Sequence, residues 1–372
     1  MGISRQEFMR RHDAVRRMMK EEQVDCLVIA GRSDYFARGN VRYVTHLPFG
    51  GYVLFPAEGK PIYFLSTNQI SSPKHDKAGP VRELVEFKEL KDPVAQLLSE
   101  VRGFEGGRKI GLVGLASLMP VPVYLALKDA YGNRLMDASH LFDALRSVKS
   151  GEEIARMRAA ASVADEVCLM LRDMVRPGLS DYEIYGEVKK AIYARQCEYS
   201  MELIDAAGST MNMAWSPSGD RLEENGTLFL EITPAYDGSY AQLPVSLPVG
   251  RYSPSVAKKV DVWAEAMDAA TGLLRPDTVV ADIHRQVVNV IERRGLLSPY
   301  PLGHTIGLDV MDSWTIHAGN QTVLRPGMTL AFHPSVLSEP GGEGIGMGYT
   351  YLVTEEGAEK LSSIDLYAFA TA

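Results

Sequence analysis

The sequence is poor in cysteine, and its few cysteines form no pattern. Cys26, Cys168 and Cys197 show neither metal-ligand spacing nor a pairing arrangement. A disulfide framework and a cysteine-based zinc site are therefore excluded, and a reducing, cytoplasmic setting is expected. Long apolar runs are also missing: none reaches the roughly 18 residues needed to span a bilayer. The opening MGISRQEFMRRHD carries charge with no apolar stretch behind it, unlike a secretory signal. Positive charge is in deficit, with 39 Lys and Arg against 47 Asp and Glu and a net charge of -8. That speaks against nucleic acid and anionic membrane surfaces as partners. Histidine is sparse: there are 8, and none lies between His140 and His284. Short-period repeats and low-complexity segments are absent as well.

What is present reads as a globular chain, 46% hydrophobic and 23% charged. Its 372 residues are too many for one ordinary core, so two domains are expected. Ser4 to Glu22 has apolar residues at helical spacing, with Ser4 and Glu7 placed as a capping box. Short apolar runs at Cys26–Ala30, Asn40–Thr45, Tyr52–Pro56, Pro61–Leu65 and Ile110–Val113 read as strands, and Val121–Ala130 as a helix. This alternation is α/β. The boundary falls near Val148, giving domains 1–148 and 149–372. Beyond it, Glu152–Asp173, a helix opened by Ser180, Pro254–Leu274 and Val279–Arg294 read as helices. Ser253 is the expected N-cap of the third, with Pro254 at its first position. Thr227–Ile232 is a buried strand interrupted by one carboxylate, Glu231, and Tyr349–Thr354 is the last clear strand.

The stretch that carries chemistry is PLGHTIGLDVMD, residues 301–312, which sets His304 among small and β-branched neighbours. It resembles the GHGIGLxxHE signature of the aminopeptidase P, prolidase, methionine aminopeptidase and creatinase family. NVRYVT, residues 40–45, and the opening of the second half, K-S-x-E-E-I then R-P-G-x-S-x-x-E-I, are similar to the same family. The resemblance implies an α/β creatinase-like N-terminal domain followed by an α+β pita-bread domain. It also implies a homodimer, with Tyr35, Asn40 and Arg42 placed where a partner's N-terminal domain reaches the site.

In metal-dependent members two Asp, one His and two Glu hold two divalent ions. Laid on this chain by flanking residues, those positions fall on Glu231, Gln242, His304, His333 and Gly348. The family's second histidine in the signature falls on Met311, and the arginine after the second Asp on Val245. Four carboxylates have become one. Two divalent cations bring about +4, and one carboxylate does not offset their repulsion and desolvation. A dinuclear centre is therefore not expected, and no metal or other cofactor is assigned. Creatinase shows that the fold works without metal, but its own catalytic set is also missing. Its histidine before the first ligand strand has no counterpart in Met213–Pro217, and two further positions are Pro244 and Gly348.

What remains is a candidate site of His304, His333 and Glu231 as catalytic residues. Gln242, Trp215, Met311 and Tyr349 are the substrate-binding candidates. Two imidazoles and a carboxylate suit acid–base work near neutral pH. A buried Glu231 would be tuned by desolvation and by a nearby imidazolium, and an imidazole base would give a rate that falls below pH ~6.5. The partner expected is a small polar molecule. Three functions stay open: a metal-independent creatinase-like hydrolase cleaving a C–N or similar bond; a lyase or hydrolase with one metal on His304, His333 and Glu231; and a non-catalytic binder. His12, His46, His75, His140 and His284 read as structural, and His317 as solvated.

Overall fold

The computed structural model describes residues 2–72, 81–104, 107–208, 211 and 213–371; His75 lies outside them. The chain forms two compact units, Met1–Arg146 and Ser147–Ala372. In the first, six strands make one mixed sheet in the order β4-β3-β2-β1-β5-β6. They are β1 (Val24–Gly31), β2 (Gly51–Pro56), β3 (Ile62–Leu65), β4 (Glu86–Glu89), β5 (Lys109–Val113) and β6 (Leu135–Asp137). Central β1 is buried along nearly its whole length and pairs antiparallel with β2 and parallel with β5. The Arg5–Glu21 helix starts where the sequence places it, with the Ser4 hydroxyl accepting from the Glu7 amide.

One expectation fails here. Asn40–Thr45 is not a strand but lies within a helix, Gly39–Thr45, whose seven residues are all buried. With no exposed face there is no in-and-out alternation for the β-branched residues to follow. Tertiary burial overrides their strand preference. The Thr45 hydroxyl bonds back to the Val41 carbonyl, and His46 ends the helix in the left-handed region at φ 55°.

Among the described residues, the second unit is built from long helices and three sheets. Ser150 and Ser180 cap the helices Gly151–Met174 and Asp181–Ala194 with reciprocal Ser–Glu boxes, and Ser253 caps Pro254–Thr271. A five-stranded sheet centres on β9 (Thr227–Tyr236), which pairs with β7 (Tyr199–Met201), β8 (Ile204–Asp205), β10 (Ser239–Tyr240) and β11 (Leu243–Pro248). A four-stranded sheet runs β12-β13-β16-β17: β12 (Gly303–Thr305), β13 (Thr329–Phe332), β16 (Tyr349–Val353) and β17 (Ala358–Lys360). Between β13 and β16 in sequence, β14 (Ser335–Leu337) pairs with β15 (Gly344–Gly346).

Parity decides which side chains can share a site. Leu228, Leu230 and Ile232 of β9 enter one large apolar core. So do Leu243, Val245 and Leu247 of β11, Leu330 and Phe332 of β13, and Tyr349, Tyr351 and Val353 of β16. Successive strand residues alternate faces, so Glu231, Pro244, Ala331 and Thr350 point the other way.

Candidate active site

The polar face collects most of the expected residues. His304 on β12 pairs with Ala331 of β13, which pairs with Thr350 of β16. Thr350 in turn grips Gln242: its hydroxyl accepts from the Gln242 amide at 2.8 Å and donates to the Gln242 carbonyl at 3.0 Å. One row thus runs from His304 to Gln242, with His304 and Thr350 about 10 Å apart at the backbone, two strand spacings. Gln242 Nε2 donates to Glu231 Oε2 at 2.8 Å, and Glu231 lies opposite Pro244, whose carbonyl accepts from the Gly348 amide.

Gly348 is where His333 enters. A β-carbon on residue 348 would lie 2.1 Å from the Phe332 carbonyl oxygen and 2.4 Å from His333 Cα. The position that the family resemblance assigns to a second glutamate is therefore closed to any side chain by the backbone of residues 332 and 333. His333 packs edge-on to His304, with ring centroids 5.2 Å apart and planes at 70°.

The protonation pattern follows from burial. Glu231, 4% exposed, is pushed up to about 7 by desolvation, which the Gln242 hydrogen bond only partly opposes. His304 is pushed down by desolvation, although its Nδ1–H donates to the Thr305 carbonyl and Asp312 lies nearby. His333 is pushed down to about 3 by burial and by His304. Two sequence expectations are corrected here. No imidazolium tunes Glu231, because both rings are held neutral. The group that titrates near neutrality is the carboxylate, not an imidazole near 6.5.

Tyr349 does not join this cluster. It faces the apolar core beside Trp263, and its hydroxyl accepts from the Leu366 amide at 2.7 Å. Trp215 and Met311 are 56% and 40% exposed, on segments following β8 and β12, so neither is a packed wall of the cluster. His317 is exposed, as expected. The sequence reading missed Thr350, the clamp on Gln242. It also missed the buried Lys149–Asp312 pair at 2.8 Å, which holds the loop after His304. Lys149 lies in the quoted K-S-x-E-E-I pattern, and Thr350 two positions past Gly348. Either could have been found by asking what holds the motif loop and what shares Gly348's face. The cysteines are no alternative nucleophiles: all three are buried and free, with thiols pushed up to about 12.

Comparison with known proteins fits this architecture. The sequence model of metallopeptidase family M24 matches residues 155–355, more than half of the chain. The chain belongs to metallopeptidase family M24. The creatinase/prolidase N-terminal domain matches residues 11–148. Among curated relatives, an agropine synthesis cyclase of Rhizobium rhizogenes is 26% identical over 380 residues, covering 94% of this chain and 93% of the relative. A probable dipeptidase PepE of Mycobacterium bovis is 25% identical over 343 residues, covering 91% and 87%. In fold, the M24 chain resembles dipeptidase PepE from Mycobacterium ulcerans, with TM-score 0.82, 22% identity and 98% of each chain covered. It also resembles an Xaa-Pro dipeptidase from Bacillus anthracis, with TM-score 0.80, 19% identity and coverage of 96% and 98%. The two-domain creatinase/prolidase architecture is thus established, and with it a hydrolase-type family. Among the described residues, no three His, Cys, Asp or Glu side chains are grouped so as to hold a metal ion.

Glu231 makes a testable contribution to stability. Its folded pKa lies above its unfolded value, so the stability it confers is complete below about 4.5, is lost as pH rises through about 7, and then levels off. At about 1.4 kcal/mol per pKa unit the loss is roughly 3 kcal/mol. Glu231→Gln removes the ionisation and keeps a partner for Gln242. Urea melts should show the variant gaining on the wild type by up to ~3 kcal/mol between pH 4.5 and 8. A difference that stays flat with pH would mean that Glu231 ionises normally.

Proposed function

We propose that this M24 protein is a metal-independent hydrolase that cleaves a C–N or similar bond in a small polar molecule. The observation that carries the reading is the Glu231–Gln242 pair. The positions that resemble the first two metal ligands hold a single carboxylate, bound to a neutral amide. The remaining positions are two neutral imidazoles and a glycine with no room for a side chain. This donor set does not fit two divalent cations, which need several carboxylates to offset their charge. The one-metal alternative on His304, His333 and Glu231 is not adopted, since these three side chains are not grouped as metal ligands.

Roles follow from which group holds a proton at neutral pH. His304 has its Nδ1–H fixed on the Thr305 carbonyl, which leaves the Nε2 lone pair as general base. It takes a proton from water as the water oxygen bonds to the substrate carbon. Glu231, protonated in part near pH 7, gives its proton to the departing nitrogen. Gln242 orients Glu231, and His333 supports the His304 ring and offers a second imidazole nitrogen. Trp215 and Met311 are the exposed aromatic and apolar side chains available to cover a bound substrate. The resemblance to an agropine synthesis cyclase supports a close variant, in which the attacking atom belongs to the substrate and the same two groups close a ring.

The test is a screen of small amides, amidines and other amines for released ammonia or amine. On the substrate found, His304→Ala should lose at least ~100-fold in turnover and Glu231→Gln a similar amount, with the fold retained. Full turnover in His304→Ala would reduce the cluster to a binding site. We further propose a homodimer, the assembly usual for this architecture; a monomer in sedimentation at micromolar concentration would exclude it.

A further inference from the structure

The hydrogen-bonding balance of the cluster is one-sided. Gln242, 2% exposed, spends one of its two side-chain N–H bonds on Glu231, and its Oε1 is buried with no partner among the described residues. His333 Nε2 is also buried with no partner among the described residues. The ring's own backbone favours a proton on the ring, and with no partner at Nε2 among the described residues that proton sits on Nδ1. Nε2 is then a bare lone pair. His304 repeats the pattern, with Nδ1–H given to the Thr305 carbonyl and Nε2 left as acceptor. The carboxylate of Glu231, when ionised, adds only acceptors. Beyond the second N–H of Gln242 and the proton that Glu231 holds part of the time, what is left over is lone pairs, on Gln242 Oε1, His333 Nε2 and His304 Nε2.

Buried acceptors left unmatched cost about 1–3 kcal/mol each, so the ligand that fits is the one that brings hydrogens. Resting on the reading above, we propose that the site recognises its substrate through a nitrogen-centred group with several N–H bonds, an amidinium, ammonium or primary amide, and rejects carboxylate and phosphate. A hydroxyl suits it less well, because it brings lone pairs of its own to face those of His333 and Gln242. An ammonium or amidinium has no lone pair free to clash, and its charge is favoured beside Glu231.

The experiment uses chelator-dialysed full-length protein labelled with 15N in its histidines, with the His333 signals assigned by their loss in His333→Phe. Acetamidinium, tetramethylammonium and acetate are titrated separately at matched ionic strength. The proposal expects acetamidinium to shift the His333 Nε2 resonance saturably, and the other two to leave it in place. Weakening of the acetamidinium response by tenfold or more in Gln242→Met, which keeps size but removes the acceptor, would support the second contact. Saturable binding of acetate, or an equal response to tetramethylammonium, would overturn the proposal, the latter because simple charge attraction would then suffice. No response to acetamidinium would overturn it as well. Turnover is not read here, so a normal acetamidinium response in a protein with no C–N cleavage would sink the hydrolase reading alone.

Discussion

The site depends on one hydrogen bond, from the amide of Gln242 to the carboxylate of Glu231. A carboxylate on a strand this buried must be neutralised, paired or bound to metal. The first two ligand positions of metal-dependent M24 enzymes resemble this pair, but there two carboxylates face two cations. With an acid at both positions and no cation, the charges would repel and one would take up a proton. The amide at 242 removes that conflict. It donates where an acid would repel, and it leaves Glu231 able to hold or release a proton near neutrality. The neutral state of both imidazoles is consistent with the same low-polarity surroundings.

The rest of the second unit keeps that pair and the histidines on one face. Thr350 ties the Gln242 backbone to β16 through both its amide and its carbonyl. Register then carries the row through Ala331 to His304. Gly348 permits the close approach that lets His333 reach the same face. The buried Lys149–Asp312 pair closes over Gly307, where a β-carbon would meet Asp312 Oδ2 at 2.4 Å. Breaking such a pair from one side leaves an uncompensated buried charge, so the loop after His304 has little freedom.

Much of this was legible in the sequence because it is local. The Ser–Glu caps at 150 and 180, the Pro254 helix start and the HTIGLD motif are short-range signals, and the structure carries the corresponding helices and strand. Glu231, Gln242, His304 and His333 could be nominated because each follows a recognisable flank. What depended on tertiary surroundings was not legible. Asn40–Thr45 has strand-forming residues, yet it is buried on all sides and coils into a helix. Tyr349 is a substrate-binding candidate by its flanking motif, yet strand parity with Gly348 and Thr350 sends it into the core, a conclusion available from the period of two. The ionisation order of carboxylate and imidazoles reversed because burial acts oppositely on acids and bases, and its depth is a property of the fold.

The central claim is that one carboxylate, bound to an amide, has replaced a two-metal centre. The most direct measurement is calorimetric titration of manganese, cobalt and zinc ions into chelator-treated protein, with elemental analysis of the product after dialysis. The account predicts no binding near two ions per chain and no change in any weak binding on Glu231→Gln. Two tightly held ions per chain, lost in Glu231→Gln and His304→Ala, would contradict it.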